Sequence, residues 1–206
     1  MRSDVVADPP PGGPVYGDDG RGRCPWGVAP PDYRRYHDTE WGRSVTDERG
    51  LFERLSLEAF QSGLSWLTIL RKRAAFRSAF ADFDPAVVAA YGPGDVDRLL
   101  ADPAIVRNRA KIEATVANAR AVMALSEPLG DLLWRFAPVV TGRLRPATLA
   151  DVAARTPESD AMARELKRQG FRFVGPTTAH ALMQATGMVN DHLAGCWVVS
   201  VDDPFG

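Results

Sequence analysis

Cysteine and histidine are both scarce in this sequence, with two cysteines and three histidines among 206 residues. So few cysteines exclude a small secreted fold held together by a network of disulfide bonds. Long apolar runs are also missing. The longest, Ala86–Tyr91, is far shorter than the about 18 residues that a membrane helix needs. We therefore expect no membrane-spanning segment and, because no secretory signal is visible, a cytoplasmic protein.

No charge of one sign is in excess. Lys and Arg total 25, Asp and Glu total 26, and the formal net charge is −1. This balance argues against a protein that binds polyanions indiscriminately. Basic residues nevertheless cluster in the windows 71–77, 107–120 and 164–172. The simplest interpretation of each cluster is a solvated helix face. A hydrophobic content of 45% is enough for a sizeable core and excludes disorder as the main state.

Apolar residues recur at helical spacing over most of the chain, and no segment shows sustained period-two alternation. This pattern predicts an all-α fold with about eight to ten helices. Residues 1–22 are rich in Pro and Gly, so we expect a flexible tail without any packed element there. Residues 23–206 are predicted to form a single globular domain.

Capping residues and helix breakers predict where the helices begin and end. Thr46 is the expected N-cap of a helix that begins at Asp47 and breaks at Gly63, and a second helix begins at about Ser65. A final short helix is expected to be capped by Asp191. The other predicted helices are one opened by Asp84 and Pro85, then 95–101, 104–124, 131–136, 159–169 and 177–186.

Two of the three histidines lie at ligand spacing from the two cysteines. Twelve residues separate Cys24 from His37, and three separate His192 from Cys196. On a helix, the second pair would point to one side. Two thiolates and two imidazoles form a donor set that tetrahedral Zn²⁺ prefers. The cysteines are also the size of small buried apolar side chains, so spacing alone leaves both interpretations open.

Glu58 is the most informative single residue. At helical spacing it lies at the edge of the apolar stripe that contains Leu51 and Leu55. An unpaired carboxylate is costly to bury, so Glu58 needs either a buried arginine or a ligand. Nearby rings favour a pocket for a flat, electron-poor ring, although core packing is the alternative. These rings belong to Trp26, Tyr33, Tyr36, Trp41 and Trp66.

Several segments taken together resemble the DNA-3-methyladenine glycosylase I family of bacterial alkylation-repair enzymes. The likeness covers about residues 23–197, which is nearly everything except the tail. The matching segments include Cys24-Pro25-Trp26, 33–42 (YRRYHDTEWG), 57–66 (LEAFQSGLSW), 83–88 (FDPAVV), 105–112 (IVRNRAKI), 171–175 (FRFVG) and 183–192 (MQATGMVNDH), together with Cys196.

The resemblance implies a helix-hairpin-helix glycosylase fold, with residues 95–124 as the hairpin and its turn near 102–108. It also implies a structural Zn²⁺ that joins the N- and C-terminal segments. The expected partner is double-stranded DNA bearing alkylated bases, bound by a monomer. The zinc ligands that the resemblance implies are Cys24, His37, His192 and Cys196.

The resemblance further implies roles for individual residues. Glu58 would be the catalytic residue, an ionised carboxylate that accepts hydrogen bonds from a flipped, cationic N3-methyladenine. Trp66 would stack on that base. Hydrolysis of the N-glycosylic bond would leave an abasic site without strand cleavage. The remaining roles are pocket walls for Trp26, Tyr33 and Tyr36, a wedge into the base stack for Leu64, and phosphate contacts for Arg107, Arg109 and Lys111.

Two positions need separate interpretation. His180 departs from the family pattern, in which an aromatic residue is expected. Asp131 lies where related enzymes place a catalytic aspartate, but we interpret it as an acidic residue that stabilises a helix N-terminus.

Two other functions fit part of the pattern. A non-enzymatic nucleic-acid-binding module with a zinc site would share the basic clusters and the metal ligands but would have no use for a Glu58 pocket. A zinc hydrolase acting on a small molecule would need an open coordination position on the metal.

Overall fold

The structure, a computed structural model, describes residues 10–139 and 144–198. Within these residues the chain forms nine α-helices and one two-stranded antiparallel sheet. The predicted all-α fold is thus confirmed in its helical part, and the small sheet departs from it. None of the described helices is both long enough and apolar enough to cross a membrane. The helices are α1 (Pro31–Thr39), α2 (Glu48–Gln61), α3 (Trp66–Ala79), α4 (Pro85–Ala89), α5 (Pro93–Ala101), α6 (Arg109–Ala124), α7 (Leu129–Trp134), α8 (Pro157–Arg168) and α9 (Pro176–Ala185). The strands are β1 (Val15–Tyr16) and β2 (Gly22–Arg23).

Contacts divide the described chain into two compact units, each with its own cluster of buried apolar side chains. Unit 1 contains residues 10–43, 144–153 and 190–198, and unit 2 contains residues 44–139 and 154–189. Both units are built from segments that are distant in the sequence, so neither is a contiguous stretch of chain. The single domain predicted over residues 23–206 stays a prediction.

Helix α2 lies in the centre of unit 2. Every residue from Leu51 to Phe60 is buried, and the helix contacts α3, α6, α7 and α9. Because neighbours cover this helix on several sides, polar side chains are buried along with the apolar ones. Glu58 is one of these buried polar residues.

The first turn of α2 begins one residue later than the sequence predicted. The carboxylate of Asp47 accepts a hydrogen bond from the Gly50 N–H at 2.8 Å, so Asp47 is the N-cap. The expectation that Thr46 caps this helix is therefore wrong. The predicted start of α3 is confirmed, because the Ser65 hydroxyl accepts from the Thr68 N–H at 3.2 Å.

Helices α5 and α6 pack against each other across the loop 102–108. The sequence predicted that the second helix begins at Ala104, but α6 begins at Arg109. The Asp102 carboxylate accepts from the Ala104 N–H at 2.8 Å, which favours a turn over a helix. Asn108 then caps α6 by accepting from the Lys111 N–H at 3.1 Å.

The N-terminal segment of unit 1 corrects the expectation that residues 1–22 contain no packed element. Strands β1 and β2 pair in antiparallel register, with Val15 opposite Arg23. The guanidinium of Arg23 is buried and bonds the carboxylates of Asp19 and Asp38 at 2.7 to 3.1 Å, which fixes the turn between the strands. Residues 1–9, the remainder of the predicted tail, lie outside the described residues.

The segment that carries His192 and Cys196 is not the predicted helix. It forms a tight turn in which the Cys196 N–H donates to the Leu193 carbonyl at 2.9 Å. Gly195 has a φ of +86°, which interrupts a right-handed helix and favours glycine. Helix α1, which the sequence analysis did not predict, has Pro31 in its first turn, a position that suits proline.

Replacing Asp47 with alanine tests the revised start of α2. We expect Asp47→Ala to lower the free energy of unfolding by about 1 kcal/mol, because an amide of the first turn loses its acceptor. Thr46→Ala is the matched control and should change that free energy by less than about 0.5 kcal/mol. Urea unfolding monitored by circular dichroism measures both. If Thr46→Ala lowered the free energy of unfolding more than Asp47→Ala does, Thr46 would be the N-cap.

Candidate functional site

Four buried side chains in unit 1 converge on one point. They are the predicted ligands Cys24, His37, His192 and Cys196, whose nearest sulfur and nitrogen atoms all lie within 4.8 Å of one another. Cys196 Sγ is 3.5 Å from His37 Nε2 and 3.6 Å from His192 Nδ1. In a tetrahedral zinc site the sulfur and nitrogen ligands are separated by about 3.5 Å, as follows from Zn–S and Zn–N bond lengths of about 2.3 and 2.0 Å. The donor set and its spacing therefore fit Zn²⁺.

The surrounding groups leave one ring nitrogen of each histidine facing the sulfur atoms. His37 Nδ1 lies 2.8 Å from the Asp38 carboxylate, which orients Nε2 toward Cys196. His192 Nε2 lies 3.1 Å from the Trp41 carbonyl oxygen, so that N–H donates to the carbonyl and Nδ1 is the free acceptor. Outer partners of this kind fix the tautomer of metal-binding histidines. Asp38 and Trp41 were not predicted as site residues, although Asp38 directly follows a predicted ligand.

The two thiols cannot both ionise easily without a cation. Their mutual hydrogen bond lowers the pKa of Cys196 and raises the pKa of Cys24. The Leu193 N–H also donates to Cys24 Sγ at 3.4 Å, which favours a thiolate there. A divalent cation stabilises thiolate at both positions, so the chemistry of the cluster suits a metal.

Aromatic rings and an arginine support the convergent side chains. The Trp26 ring lies 4.9 Å from the rings of both His37 and Trp41. The Arg145 guanidinium donates to the carbonyls of His192, Cys196 and Val198 at 3.0 to 3.1 Å, which holds the C-terminal turn. Arg145 was not predicted, because nothing in its sequence neighbourhood distinguishes it from a surface arginine.

Two of the predicted pocket walls also belong to unit 1. Tyr33 lies 5.0 Å from Trp26 between ring centroids, and Tyr36 lies 6.5 Å from it. Tyr36 is only 2% exposed. Within unit 1, Trp26 therefore packs both on the tyrosines and on an imidazole of the metal cluster.

Glu58 carries a carboxyl group inside the apolar core of unit 2. Glu58 is 5% exposed; it is flanked in the helix by the buried residues Leu57 and Ala59, and Leu55, which is also buried, lies one turn before it. Burial raises the pKa of Glu58 from 4.5 to about 8, and the positive charge of Arg54 opposes this rise. The unliganded protein therefore favours the protonated form of this group at neutral pH. The ionised form, which was expected with a cationic base bound, stays a prediction.

The turn between α2 and α3 presents the predicted wedge residue. Leu64 is 39% exposed. Its N–H donates to the Gln61 carbonyl at 2.7 Å, and Gly63 has a φ of +80°, so the turn is tight. Trp66, the predicted stacking residue, follows this turn as the first residue of α3 and packs against the core of unit 2.

The three predicted phosphate contacts differ in their surroundings. Arg107 is exposed in the loop before α6. Arg109 is exposed too, and pairs with Asp97 at 3.0 Å and Glu113 at 3.5 Å. Lys111 is only 8% exposed, and its ammonium donates to two main-chain carbonyls instead of facing solvent. The side chain of Lys111 is therefore placed inside the protein and not on a DNA-binding face.

A basic groove in unit 2 was not predicted as a site. Its volume is about 420 Å³, and Arg155, Arg164 and Lys167 line it together with Asp160, which pairs with Arg155 at 3.8 Å, and the amino end of α9. The loop before α9 exposes Phe173 at a φ of +56°. The signal in the sequence was the basic window 164–172, which was interpreted as a solvated face.

The remaining singled-out positions, His180 and Asp131, lie in helices. His180 is 2% exposed within α9. Asp131 is exposed in the first turn of α7, where an acidic side chain stabilises the helix dipole.

Comparison with known proteins identifies the family. A sequence model described as methyladenine glycosylase matches residues 26–199. DNA-3-methyladenine glycosylase 1 of Escherichia coli (strain K12) is 46% identical over 180 residues, which cover 84% of this chain and 95% of that protein. The chain belongs to the methyladenine glycosylase family.

Two solved structures of this family share the fold. A crystal structure of 3-methyladenine DNA glycosylase I (TAG) has a TM-score of 0.82 at 46% identity, covering 85% of this chain and 98% of that chain. A structure of the enzyme from Staphylococcus aureus, which concerns its recognition of 3-methyladenine, has a TM-score of 0.80 at 35% identity and covers 84% and 94% of the two chains.

In this methyladenine glycosylase family member, the titration of Glu58 can be measured through stability. The folded protein keeps the Glu58 proton up to about pH 8, whereas the unfolded chain loses it near pH 4.5, so this group lowers the free energy of unfolding as pH rises across that window. Glu58→Gln does not titrate. We expect the free energy of unfolding of the variant, relative to wild type, to rise by up to about 1.4 kcal/mol per pH unit between about pH 5 and 8.

Urea unfolding of both proteins at several pH values measures this difference. The metal content of both samples is determined at each pH. The two free energies are compared where these contents agree, so that a loss of metal at low pH affects both proteins equally. A difference that stays constant with pH would contradict the raised pKa of Glu58.

Proposed function

We propose that this member of the methyladenine glycosylase family is a DNA repair glycosylase. It excises N3-methyladenine from double-stranded DNA and leaves an abasic site without cutting the strand. The observation that carries this proposal is the carboxyl group of Glu58, buried in the core of unit 2 in helix α2, which a four-residue turn connects to Trp66 at the start of α3. The named relatives, at 46% and 35% identity, support the same activity.

The charge of the base is the basis of recognition. The damaged nucleotide leaves the duplex to reach the enzyme, and methylation at N3 places positive charge on the adenine ring. A cation beside Glu58 lowers the pKa of this carboxyl group, so the group ionises on binding and accepts charge-assisted hydrogen bonds. Neutral adenine lacks the charge and leaves the carboxyl protonated. Selectivity then follows from the difference between the two interaction energies.

Trp66 supplies the stacking surface for the base in this proposal. An indole face attracts a cationic ring more strongly than a neutral one, by about 1–2 kcal/mol when water is excluded. Trp26, Tyr33 and Tyr36 stay predicted as pocket residues on the basis of the family resemblance.

Hydrolysis needs little further help from the protein. A cationic purine is already a good leaving group, so water can attack the sugar once the base is held. Two of the three lysines are poorly placed for a covalent intermediate. The ammonium of Lys111 is bonded to main-chain carbonyls, and that of Lys72 donates to the carbonyls of Pro103 and Ala104 at 3.2 and 2.9 Å. This supports a monofunctional glycosylase over one that cleaves the strand through a Schiff base.

The proposed DNA contacts lie on unit 2. Leu64 is exposed at the tip of a tight turn, as a wedge into the base stack requires. Arg107 and Arg109 are exposed at the α5–α6 loop, the predicted hairpin, and are suited to phosphate oxygens. The basic groove adds Arg164 and Lys167 beside the amino end of α9, where main-chain N–H groups attract anions.

Zinc is the metal that best fits the unit 1 cluster. Cys24, His37, His192 and Cys196 would hold it, and four protein ligands leave no position for a substrate. The metal would link Cys24 to His192, which are 168 positions apart. Closing so long a loop stabilises the folded state. A structural role follows from this donor set, which disfavours a zinc hydrolase acting on a small molecule.

The protein is proposed to act as a cytoplasmic monomer. A non-enzymatic DNA-binding module is the competing function, because it would share the basic residues and the metal cluster. Only base release separates the two functions, and the burial of Glu58 favours the enzyme.

Release of the methylated base tests the proposed activity. Duplex DNA treated with a methylating agent is incubated with the protein, and free 3-methyladenine is measured by chromatography. We expect wild type to release it and Glu58→Gln to release it about 10- to 100-fold more slowly, because an ionised acceptor is lost. Glu48→Gln, which makes the same change at an exposed position of α2, is the matched control and should retain full activity. Absence of release by wild type would favour the binding module.

Metal analysis tests the proposed zinc site. We expect one Zn²⁺ per chain in wild type, and a loss of zinc in His192→Ala together with a melting temperature lower by about 10 °C or more. His180→Ala, which removes the one histidine outside the cluster, should keep its zinc. A wild-type protein that holds no metal, or that melts unchanged after treatment with a chelator, would refute the zinc site.

A further inference from the structure

Lys111 makes an unusual set of contacts inside unit 2. Its side chain is buried, and its ammonium donates to the Phe60 carbonyl at 2.8 Å and also to the Ser62 carbonyl. These two carbonyls lie at the carboxyl end of α2, where main-chain acceptors have no partner within the helix. A cation at this end is also stabilised by the helix dipole.

The position of Lys111 in its own helix is unfavourable for a lysine. It lies in the first turn of α6, where the helix dipole repels a cation. Burial adds a desolvation cost and lowers the pKa of the ammonium group. The contacts with α2 offset these costs. Asn108 and Thr115 fix the Lys111 backbone by bonds to its N–H and its carbonyl at 3.1 and 3.0 Å.

The carbonyls that Lys111 binds belong to the segment that joins the two proposed base-binding residues. Phe60 follows Glu58 by two residues, and Ser62 is the first of the four turn residues, 62–65, that precede Trp66. Gln61 closes the same turn, because its side-chain amide donates to the Leu64 carbonyl at 3.2 Å. An ammonium group bonded to both sides of Gln61 therefore fixes the direction in which the chain leaves α2.

We propose that Lys111 is a positioning residue for base excision, whose ammonium group holds the α2–α3 turn so that Glu58 and Trp66 keep the geometry needed to bind the flipped base. This inference rests on the proposed glycosylase activity. It replaces the phosphate contact that the family resemblance suggested for Lys111.

Substitution of Lys111 distinguishes a positioning role from a direct phosphate contact and from a purely structural role. Lys111→Met removes the donors and keeps most of the apolar side-chain volume, and Lys111→Gln keeps one donor group in case the methionine variant does not fold. Arg120→Met is the matched control. Arg120 is also on α6 and also donates to two carbonyls at the end of a helix. These belong to Ala89, the last residue of α4, and to Tyr91, which lies two residues further on, at 2.9 and 2.7 Å.

Three measurements are made on each folded variant. Single-turnover release of 3-methyladenine at saturating enzyme reports the excision step. The salt dependence of binding to undamaged duplex DNA counts phosphate contacts. Amide hydrogen exchange followed by mass spectrometry reports the order of residues 61–66.

We expect Lys111→Met to slow excision by about 10- to 100-fold, since small errors in position strongly affect a bound reactant. Exchange of the amides in 61–66 should become faster. The slope of log affinity against log salt should stay at the wild-type value, because no phosphate contact is lost. Lys111→Gln should be intermediate in excision, and Arg120→Met should match wild type in all three measurements.

Other outcomes would overturn the proposal. A salt slope reduced by about 1 in Lys111→Met would show a direct phosphate contact. Wild-type excision by a variant with a lower melting temperature would show a purely structural role. If wild-type protein itself released no base, the proposed function would fail. If the amides of 61–66 exchanged in Lys111→Met at the wild-type rate, only the positioning role of Lys111 would be refuted.

Discussion

A carboxyl group enclosed by apolar side chains is the constraint on which the proposed chemistry of this protein depends. Glu58 lies in a helix whose residues are buried from Leu51 to Phe60, so water solvates its charge only poorly. The resulting rise of its pKa to about 8 makes the neutral acid the resting form at neutral pH. Such a group responds to the charge of whatever reaches it, because a cation supplies the stabilisation that water cannot. Discrimination between a methylated and an unmethylated purine then follows from charge.

Holding a charge-sensitive group in place requires the end of its helix to be well fixed. The carboxyl end of α2 has carbonyl groups without helical partners, and the buried ammonium of Lys111 is bonded to two of them. The same contact fixes the start of the turn that presents Leu64 and leads to Trp66. In the sequence, Lys111 looks like a surface cation, but it is part of the interior. There it holds the turn between α2 and α3 in position and does not add affinity for DNA.

In unit 1, by contrast, several polar side chains converge on one point, and their donor atoms suit a metal ion. Three of the four cysteine and histidine side chains contact a neighbour outside the cluster: the Leu193 N–H at Cys24, Asp38 at His37 and the Trp41 carbonyl at His192. Arg23 bonds Asp38 in turn, so the short β-hairpin of the N-terminal segment belongs to this support. An ordered hairpin in a segment rich in Gly and Pro is explained by that buried guanidinium.

Sequence by itself determined the helical class, the segments that carry the family likeness, the four side chains of the metal cluster and the unusual position of Glu58. The helical class and the position of Glu58 follow from residue type and local spacing, which a single chain displays directly. The set of four cluster side chains followed from the family resemblance, because their spacing alone left a metal site open. Tertiary structure decided the rest. Whether Asp47 or Thr46 caps α2, whether 192–196 is a helix or a turn, and whether Lys111 faces solvent depend on partners such as Gly50, Leu193 and Phe60. The ionisation of Glu58 was decided in the same way, since burial comes from helices that are distant in the sequence.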